Sequence, residues 1–130
     1  MSVLVVDDEP VMQELLVGVM EDAGVPVRAA GSGEEALALS DESWPSLFIL
    51  DLSLPGSYSG WELWDALLMR ARGRSLQVAF TGAALTTAGR QRAHQRGALL
   101  VVLKPIRRAE LARLVELGKA GDDGVADSDR

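Results

Sequence analysis

The chain has 130 residues, 48% of them hydrophobic, and no cysteine, which suits one globular domain and excludes disulfides and thiolate metal sites. No apolar run approaches the roughly 18–20 residues of a membrane-spanning helix, and no basic segment precedes the first apolar run, so we expect a cytoplasmic location. The net charge of −6 argues against direct DNA binding.

Short apolar runs alternate with helical patterns along the chain. The first, third and fifth runs are almost continuously apolar, as expected for strands that helices cover on both faces of a parallel sheet. Pro26 indicates that the second strand lies at an edge, because proline cannot donate to a neighbouring strand. The predicted strands cover residues 2–6, 25–30, 47–50, 76–80 and 99–103.

The predicted helices have recognisable ends. Pro10 suits a first helical position, and Gly24 ends the apolar stripe that follows it. Ser32 and Glu35 have the spacing of a capping box at the start of the second helix. The third predicted helix follows Gly60, and the fourth and fifth cover residues 86–96 and 107–118.

This order of elements predicts an α/β fold with a five-stranded, parallel, doubly wound sheet, strand order 2-1-3-4-5, and five helices. We expect one domain over residues 1–119. Residues 120–130 are polar, have no hydrophobic periodicity, and are predicted to form a disordered C-terminal tail. Ligands of such sheets bind beyond the carboxyl ends of the strands, so the side chains at those ends matter most.

Chemically active side chains follow four of the predicted strands. Asp7 and Asp8 follow the first strand, Asp51 the third, Thr81 the fourth and Lys104 the fifth. Carboxylates without cysteine form a hard oxygen site that suits Mg²⁺, for which Mn²⁺ can substitute. With a lysine and a hydroxyl beside it, a central aspartate can form and stabilise an aspartyl-phosphate.

The segments VVDDEP, LFILDLSLP, AFTGAA and VVLKPI, in this order, resemble the receiver domain of two-component response regulators over about residues 2–119. The resemblance implies a flavodoxin-like fold and a phosphoryl group accepted by Asp51. It also implies that Thr81 is the switch hydroxyl and that Lys104 is the cation that assists catalysis. Pro105 matches the family's proline after that lysine, which often follows a cis peptide bond.

The resemblance also implies a set of metal ligands. Asp7, Asp8 and Asp51 would hold Mg²⁺ with their carboxylates, and Ser53 would add its carbonyl oxygen. Glu9 is interpreted as a first-turn residue favoured by the helix dipole rather than as a ligand.

The chain departs from the family pattern in two places. Val101 occupies the switch position three residues before the lysine, where receivers usually carry tyrosine or phenylalanine. The loop over residues 52–60 is one residue longer than usual between its proline and glycine. Both departures concern the coupling of phosphorylation to output and leave the phosphorylation chemistry intact.

We therefore expect a signalling domain that catalyses only its own phosphorylation and dephosphorylation. It would receive the phosphoryl group from a histidine kinase or histidine phosphotransfer protein, with Mg²⁺, and signal through altered protein contacts.

One alternative is a degenerate receiver that binds partners without phosphorylation. Another is an Mg²⁺-dependent phosphohydrolase, although those enzymes carry a D-x-D motif and a substrate cap. The domain is expected either to stand alone or to be cut from a larger protein.

Charge is distributed unevenly along the sequence. Residues 1–65 hold 13 acidic residues and one basic residue, whereas residues 66–130 hold 12 basic and 6 acidic residues. We expect the arginine-rich face of the fourth helix, fifth strand and fifth helix to contact an unknown downstream protein or a second copy in a weak dimer. No membrane contact is expected.

Overall fold

A parallel sheet with the strand order β2-β1-β3-β4-β5 runs through the centre of the molecule. The computed structural model describes the backbone of residues 2–128 and the side chains of residues 2–120. The predicted fold class, strand order and five helices are confirmed, and Pro26 precedes the edge strand. The elements are β1 Val3–Val6, α1 Pro10–Asp22, β2 Val27–Ala30, α2 Gly33–Glu42, β3 Leu47–Asp51, α3 Gly60–Ala71, β4 Val78–Gly82, α4 Thr87–Gln95, β5 Leu100–Leu103 and α5 Arg108–Ser128.

Side chains of the central strands alternate between two hydrophobic cores. Leu4 lies in the core that α2, α3 and α4 cover, together with Leu63 of α3. Val5, the next residue, lies in the opposite core with Leu16 of α1 and Leu114 of α5. Because helices cover both faces, the positions of these strands before their carboxyl ends are apolar, which explains the continuous apolar runs in the sequence.

The N-terminal caps of the helices match the sequence predictions only in part. The Ser32 hydroxyl accepts a hydrogen bond from the backbone N–H of Glu35, but the Glu35 carboxylate accepts from the N–H of Gly31 rather than from Ser32. A complete capping box instead opens α3, where Ser59 and Glu62 each accept from the other's backbone N–H. This box fixes the point at which the loop after β3 becomes helical.

The last helix differs from its prediction. The sequence predicts a helix ending near residue 118 and a disordered tail over residues 120–130, whereas the backbone of α5 stays helical to Ser128. The sequence has no proline after Pro105, and glycine weakens a helix without ending it, so the hydrogen-bond ladder can continue beyond the end of the hydrophobic periodicity. Residues 129–130 lie outside the described residues, and the domain boundary at 119 stays a prediction.

No helix among the described residues combines the length and the apolar character that crossing a membrane requires.

Gly60 permits a close approach between α3 and the end of β3. A Cβ atom at this position would lie 2.5 Å from both the backbone oxygen of Asp51 and the Cα of Leu52. The backbone N–H of Gly60 also donates to the oxygen of Leu52 at 3.1 Å. The first turn of α3 therefore packs directly against the backbone that carries Asp51.

We predict that Gly60→Ala destabilises the protein by about 2 kcal/mol, because an added methyl group must displace packed backbone. Gly18→Ala is the matched control, since a Cβ at Gly18 in the middle of α1 meets no atom within 4 Å. The control should gain about 0.5–1 kcal/mol from helix propensity. Urea unfolding of both variants checks the prediction, and equal stabilities would contradict it.

Candidate functional site

Strand pairing brings buried polar side chains together at the carboxyl edge of the sheet. Val6 pairs with Leu50, so Asp7 and Asp51 follow side by side from neighbouring strands. Asp51 in turn pairs with Thr81 of β4. Asp7, Asp51 and Thr81 are 1%, 3% and 1% exposed, among the few buried polar residues of the described chain. Such burial is costly for carboxylates unless a positive charge lies nearby.

Lys104 supplies that positive charge from the end of β5. Its Nζ lies 2.8 Å from Oδ2 of Asp7, 2.9 Å from Oδ2 of Asp51 and 2.9 Å from Oε1 of Glu9. The backbone N–H of Lys104 donates to the oxygen of Gly82 at 2.7 Å, which ties the start of this segment to the end of β4. Three carboxylates therefore surround a single ammonium group.

Burial and ion pairing shift the pKa values of Asp7 and Lys104 in opposite directions. Burial raises the pKa of Asp7, as does the nearby charge of Asp51, and the contacts of Asp7 with Lys104 and the Glu9 N–H only partly offset the rise. For Lys104, burial lowers the pKa, but its interactions with Asp7, Glu9 and Asp51 outweigh burial, and the pKa is raised. Lys104 is thus firmly cationic at neutral pH.

Backbone groups hold the second oxygen of each buried carboxylate. The N–H of Glu9 donates to Oδ1 of Asp7 at 2.9 Å, and the N–H of Ser53 donates to Oδ1 of Asp51 at 2.9 Å. Gln13 reaches back from α1 and donates to the backbone oxygen of Asp7. Each carboxylate is therefore fixed in orientation, with Oδ2 directed to Lys104.

Asp7, Asp8 and Asp51 meet the requirements of a metal site. Each offers a carboxylate oxygen, and these oxygens lie within 4.8 Å of one another. Oδ2 of Asp7 is buried and, although close to Lys104, has no aligned hydrogen-bond donor among the described residues. A hard cation such as Mg²⁺ or Mn²⁺ fits this oxygen set. The Ser53 carbonyl as a further ligand stays a prediction.

Glu9 is the member of the site that the sequence analysis missed. It occupies the N-cap position of α1, but its side chain makes no capping hydrogen bond and extends to Lys104 instead. Its side chain is 60% exposed, unlike those of Asp7 and Asp51. The signal in the sequence is weak, since an acid before a helical proline is equally suited to the helix dipole.

The switch position and the proline have their expected locations. Val101 is 5% exposed and pairs with Phe80 in the sheet, on the side of the core that α4 covers. The bond between Lys104 and Pro105 is cis, as the resemblance implied. The roles of Thr81 and Val101 as switch residues stay predictions.

Helix α4 is held mainly by arginines. Ala93 is its one buried residue, and all of α4 is described. The guanidinium of Arg90 donates to the backbone oxygen of Val101 at 3.1 Å. The guanidinium of Arg92 lies 4.3 Å from the ring centre of Trp61 on α3, within cation–π range. Polar contacts thus link α4 to its two neighbours.

The longer loop over residues 52–60 is anchored at both ends. Leu54 is 8% exposed, and Tyr58 packs so closely on the start of α2 that a Cβ at Gly33 would lie 2.5 Å from the Tyr58 Cβ. This loop is therefore in contact with the start of α2.

Comparison with known proteins identifies relatives over most of the chain. A family model described as the response regulator receiver domain matches residues 3–116. An uncharacterized 14.6 kDa protein of Leptolyngbya boryana is 34% identical over 116 residues, covering 89% of this chain and 88% of the relative. The response regulator Rre1 of Synechocystis is 33% identical over 115 residues, covering 88% of this chain but 49% of Rre1. The chain thus spans about half the length of that regulator.

Solved structures agree with the fold. The receiver domain of NtrX from Brucella abortus superimposes with a TM-score of 0.77 at 28% identity, covering 90% of this chain and 97% of that domain.

Removing the Lys104 charge should leave two buried carboxylates without a counterion. We predict that Lys104→Met costs about 2–3 kcal/mol of stability in metal-free buffer at neutral pH. Lys119→Met is the control, because Lys119 is exposed and its ion pair with Glu116 is long, at 3.9 Å. Urea unfolding measures both. Asp51→Asn in the Lys104→Met background should recover part of the loss, since one buried charge is removed.

The pH dependence gives a second check on the same variant. A carboxyl whose pKa is raised in the folded state stabilises the fold when protonated and loses that contribution as pH rises through the folded pKa. Without Lys104 the pKa of Asp7 should rise further. The stability that Lys104→Met lacks relative to Lys119→Met should therefore be smaller at about pH 5 than at about pH 7. A deficit that is constant with pH would contradict this account.

Proposed function

This chain belongs to the response regulator receiver domain family, and we propose that it is a phosphoacceptor signalling domain phosphorylated on Asp51. The observation that carries the proposal is the Asp51 carboxylate, buried at the end of β3 with Oδ2 2.9 Å from Nζ of Lys104. The proposed donor is a histidine kinase or histidine phosphotransfer protein. The family is one of signalling domains rather than typical enzymes, and the catalysis proposed here is limited to the domain's own phosphorylation and dephosphorylation.

In the proposed reaction a carboxylate oxygen of Asp51 forms a bond to phosphorus while the bond between phosphorus and the donor's leaving atom breaks. The electron pair of that bond leaves with the donor, and the product is an acyl phosphate on Asp51. Lys104 stabilises the negative charge that accumulates on the phosphoryl oxygens, and the Thr81 hydroxyl can donate to one of them. Asp7 and Asp8 would hold Mg²⁺ with Asp51, and the ion, when bound, would neutralise further phosphoryl charge.

We predict that wild-type protein incubated with Mg²⁺ and a small phosphodonor, such as acetyl phosphate, gains the mass of one phosphoryl group. The adduct should be labile to hydroxylamine, as expected for an acyl phosphate. Asp51→Asn should gain no such mass, and Asp41→Asn, an exposed acid on α2, should behave as wild type. Intact mass spectrometry measures all three, and an adduct that persists in Asp51→Asn would refute Asp51 as the acceptor.

Mg²⁺ binding can be tested separately from phosphorylation. We predict that Asp8→Asn weakens Mg²⁺ binding about tenfold or more, because one of few direct ligands loses its charge. Removal of one of several repelling carboxylates should also raise the stability of metal-free protein. Asp22→Asn is the control, since it removes an exposed charge at the end of α1. Calorimetric titration that gives equal affinities for Asp8→Asn and wild type would contradict the proposed site.

Two alternatives remain distinguishable by these measurements. A degenerate receiver would form no adduct under any of these conditions, and the complete set of carboxylates around Lys104 argues against it. An Mg²⁺-dependent phosphohydrolase would turn over a substrate many times, and the family match gives that alternative no support.

For output, we propose that the face of α4, β5 and α5 contacts a downstream protein or a second copy of the domain, without DNA contact. Arg90 and Arg107 line a groove beside the Lys104–Pro105 segment, and Leu103 is 41% exposed next to them. Glu110 lines the same groove, so basic side chains outnumber acidic ones there, which suits an acidic partner surface.

Val101 should limit the conformational change of that face. Valine has one stiff torsion and little area, so it contributes little to a population switch. We predict that beryllofluoride, a phosphoryl mimic, shifts backbone amide signals of residues 52–60 at least as strongly as those of residues 85–108. Heteronuclear NMR measures this. Large shifts confined to residues 85–108 would show that an aromatic switch residue is not needed for a full response.

A further inference from the structure

Glu9 shares Lys104 with the two buried carboxylates of the site. We infer that Glu9 is a positioning residue that holds Lys104 in the resting domain and releases it when Asp51 is phosphorylated. The inference rests on the proposed function and adds to it a residue for which the sequence analysis predicted no role at the site.

The first step of the argument is the number of donors on Lys104. A lysine ammonium group has three N–H donors. In the structure Nζ faces three carboxylates, with hydrogen bonds to Glu9 and Asp51 and an ion pair with Asp7. An arriving phosphoryl oxygen must therefore compete with three carboxylates for the ammonium group of Lys104.

The second step is which carboxylate gives way. The side chains of Asp7 and Asp51 are 1% and 4% exposed, so neither can exchange Lys104 for water. Glu9 is 60% exposed, and its carboxylate regains water at once when it leaves Lys104. The pair with Glu9 is therefore the least costly to break.

The third step is the position of Glu9 in α1. An N-cap residue usually accepts a hydrogen bond from the first turn, but Glu9 makes no such bond and reaches Lys104 across 95 positions of the sequence. Glutamate is long enough for this contact, whereas aspartate is one methylene shorter and is a favoured N-cap residue. The length of the side chain thus decides between capping the helix and holding the lysine.

The expected consequence is a resting site that binds phosphoryl groups less tightly than its chemistry allows. An exposed ion pair is worth a factor of about two to five in an equilibrium constant. Variants that lose the contact should therefore bind beryllofluoride about twofold to fivefold more tightly at saturating Mg²⁺.

The test compares three variants by titration of beryllofluoride, followed by tryptophan fluorescence or amide shifts. Glu9→Gln removes the charge at unchanged length, Glu9→Asp keeps the charge but shortens the reach, and Glu14→Gln removes an exposed charge from the same helix. We expect tighter binding in both Glu9 variants and wild-type affinity in Glu14→Gln. Tighter binding in Glu9→Gln with wild-type affinity in Glu9→Asp would show a general charge effect and overturn the inference.

The resting contact is measured without any phosphoryl mimic. Protons of the Lys104 ammonium group, assigned by their absence in Lys104→Met, should exchange with water faster in Glu9→Asp than in wild type. Unchanged exchange would show that Glu9 does not hold Lys104 and would overturn the inference whatever the titration gives. If wild type binds beryllofluoride no better than Asp51→Asn, the proposed function fails and the release step fails with it, while the exchange result still decides the resting contact.

Discussion

The ion cluster around Lys104 is the interaction on which the arrangement of the site depends. A single ammonium group lies within 2.9 Å of three carboxylates, two of them buried at the ends of neighbouring strands. With Asp8 added, four acids face one base, and the cluster carries an excess of negative charge. This excess would attract a divalent cation, whereas Lys104 is the positive charge that pairs with the two buried carboxylates.

The fold supplies the geometry that this cluster needs. Parallel strands end at the same edge, so residues far apart in sequence arrive within hydrogen-bond distance without any long loop. Close backbone packing at Gly60 and the N–H groups of Glu9 and Ser53 then fix the carboxylates. The orientation of the two buried carboxylates is thus set largely by the backbone.

The sequence was sufficient for the fold and for most of the cluster. Continuous apolar runs and their spacing determine a two-sided parallel sheet, and its carboxyl ends follow directly, so Asp7, Asp51 and Lys104 could be placed together before any coordinates. Glu9 could not be placed, because its contact depends on a side-chain direction set by the first turn of α1 and by the path of a segment 95 residues later. Local patterns carry no information on such a choice.

The end of α5 escaped prediction for a different reason. Hydrophobic periodicity marks the part of a helix that has an apolar face, and in this sequence it ends near residue 118, whereas the backbone of α5 stays helical to Ser128. The capping box of α3 was missed although Ser59 and Glu62 have the S-x-x-E spacing that marks such a box in a sequence.

Helix α4 packs on the domain with few buried apolar residues, and this affects its motions. Its neighbour α3 buries Leu63, Trp64 and Leu67, whereas α4 buries Ala93 alone and otherwise relies on contacts such as that of Arg92 with Trp61. Detaching α4 therefore exposes little apolar surface, and its local opening free energy lies well below that of global unfolding. Amide hydrogens of α4 should exchange through such openings rather than through unfolding of the whole chain, at rates that rise with ionic strength as the arginine contacts are screened.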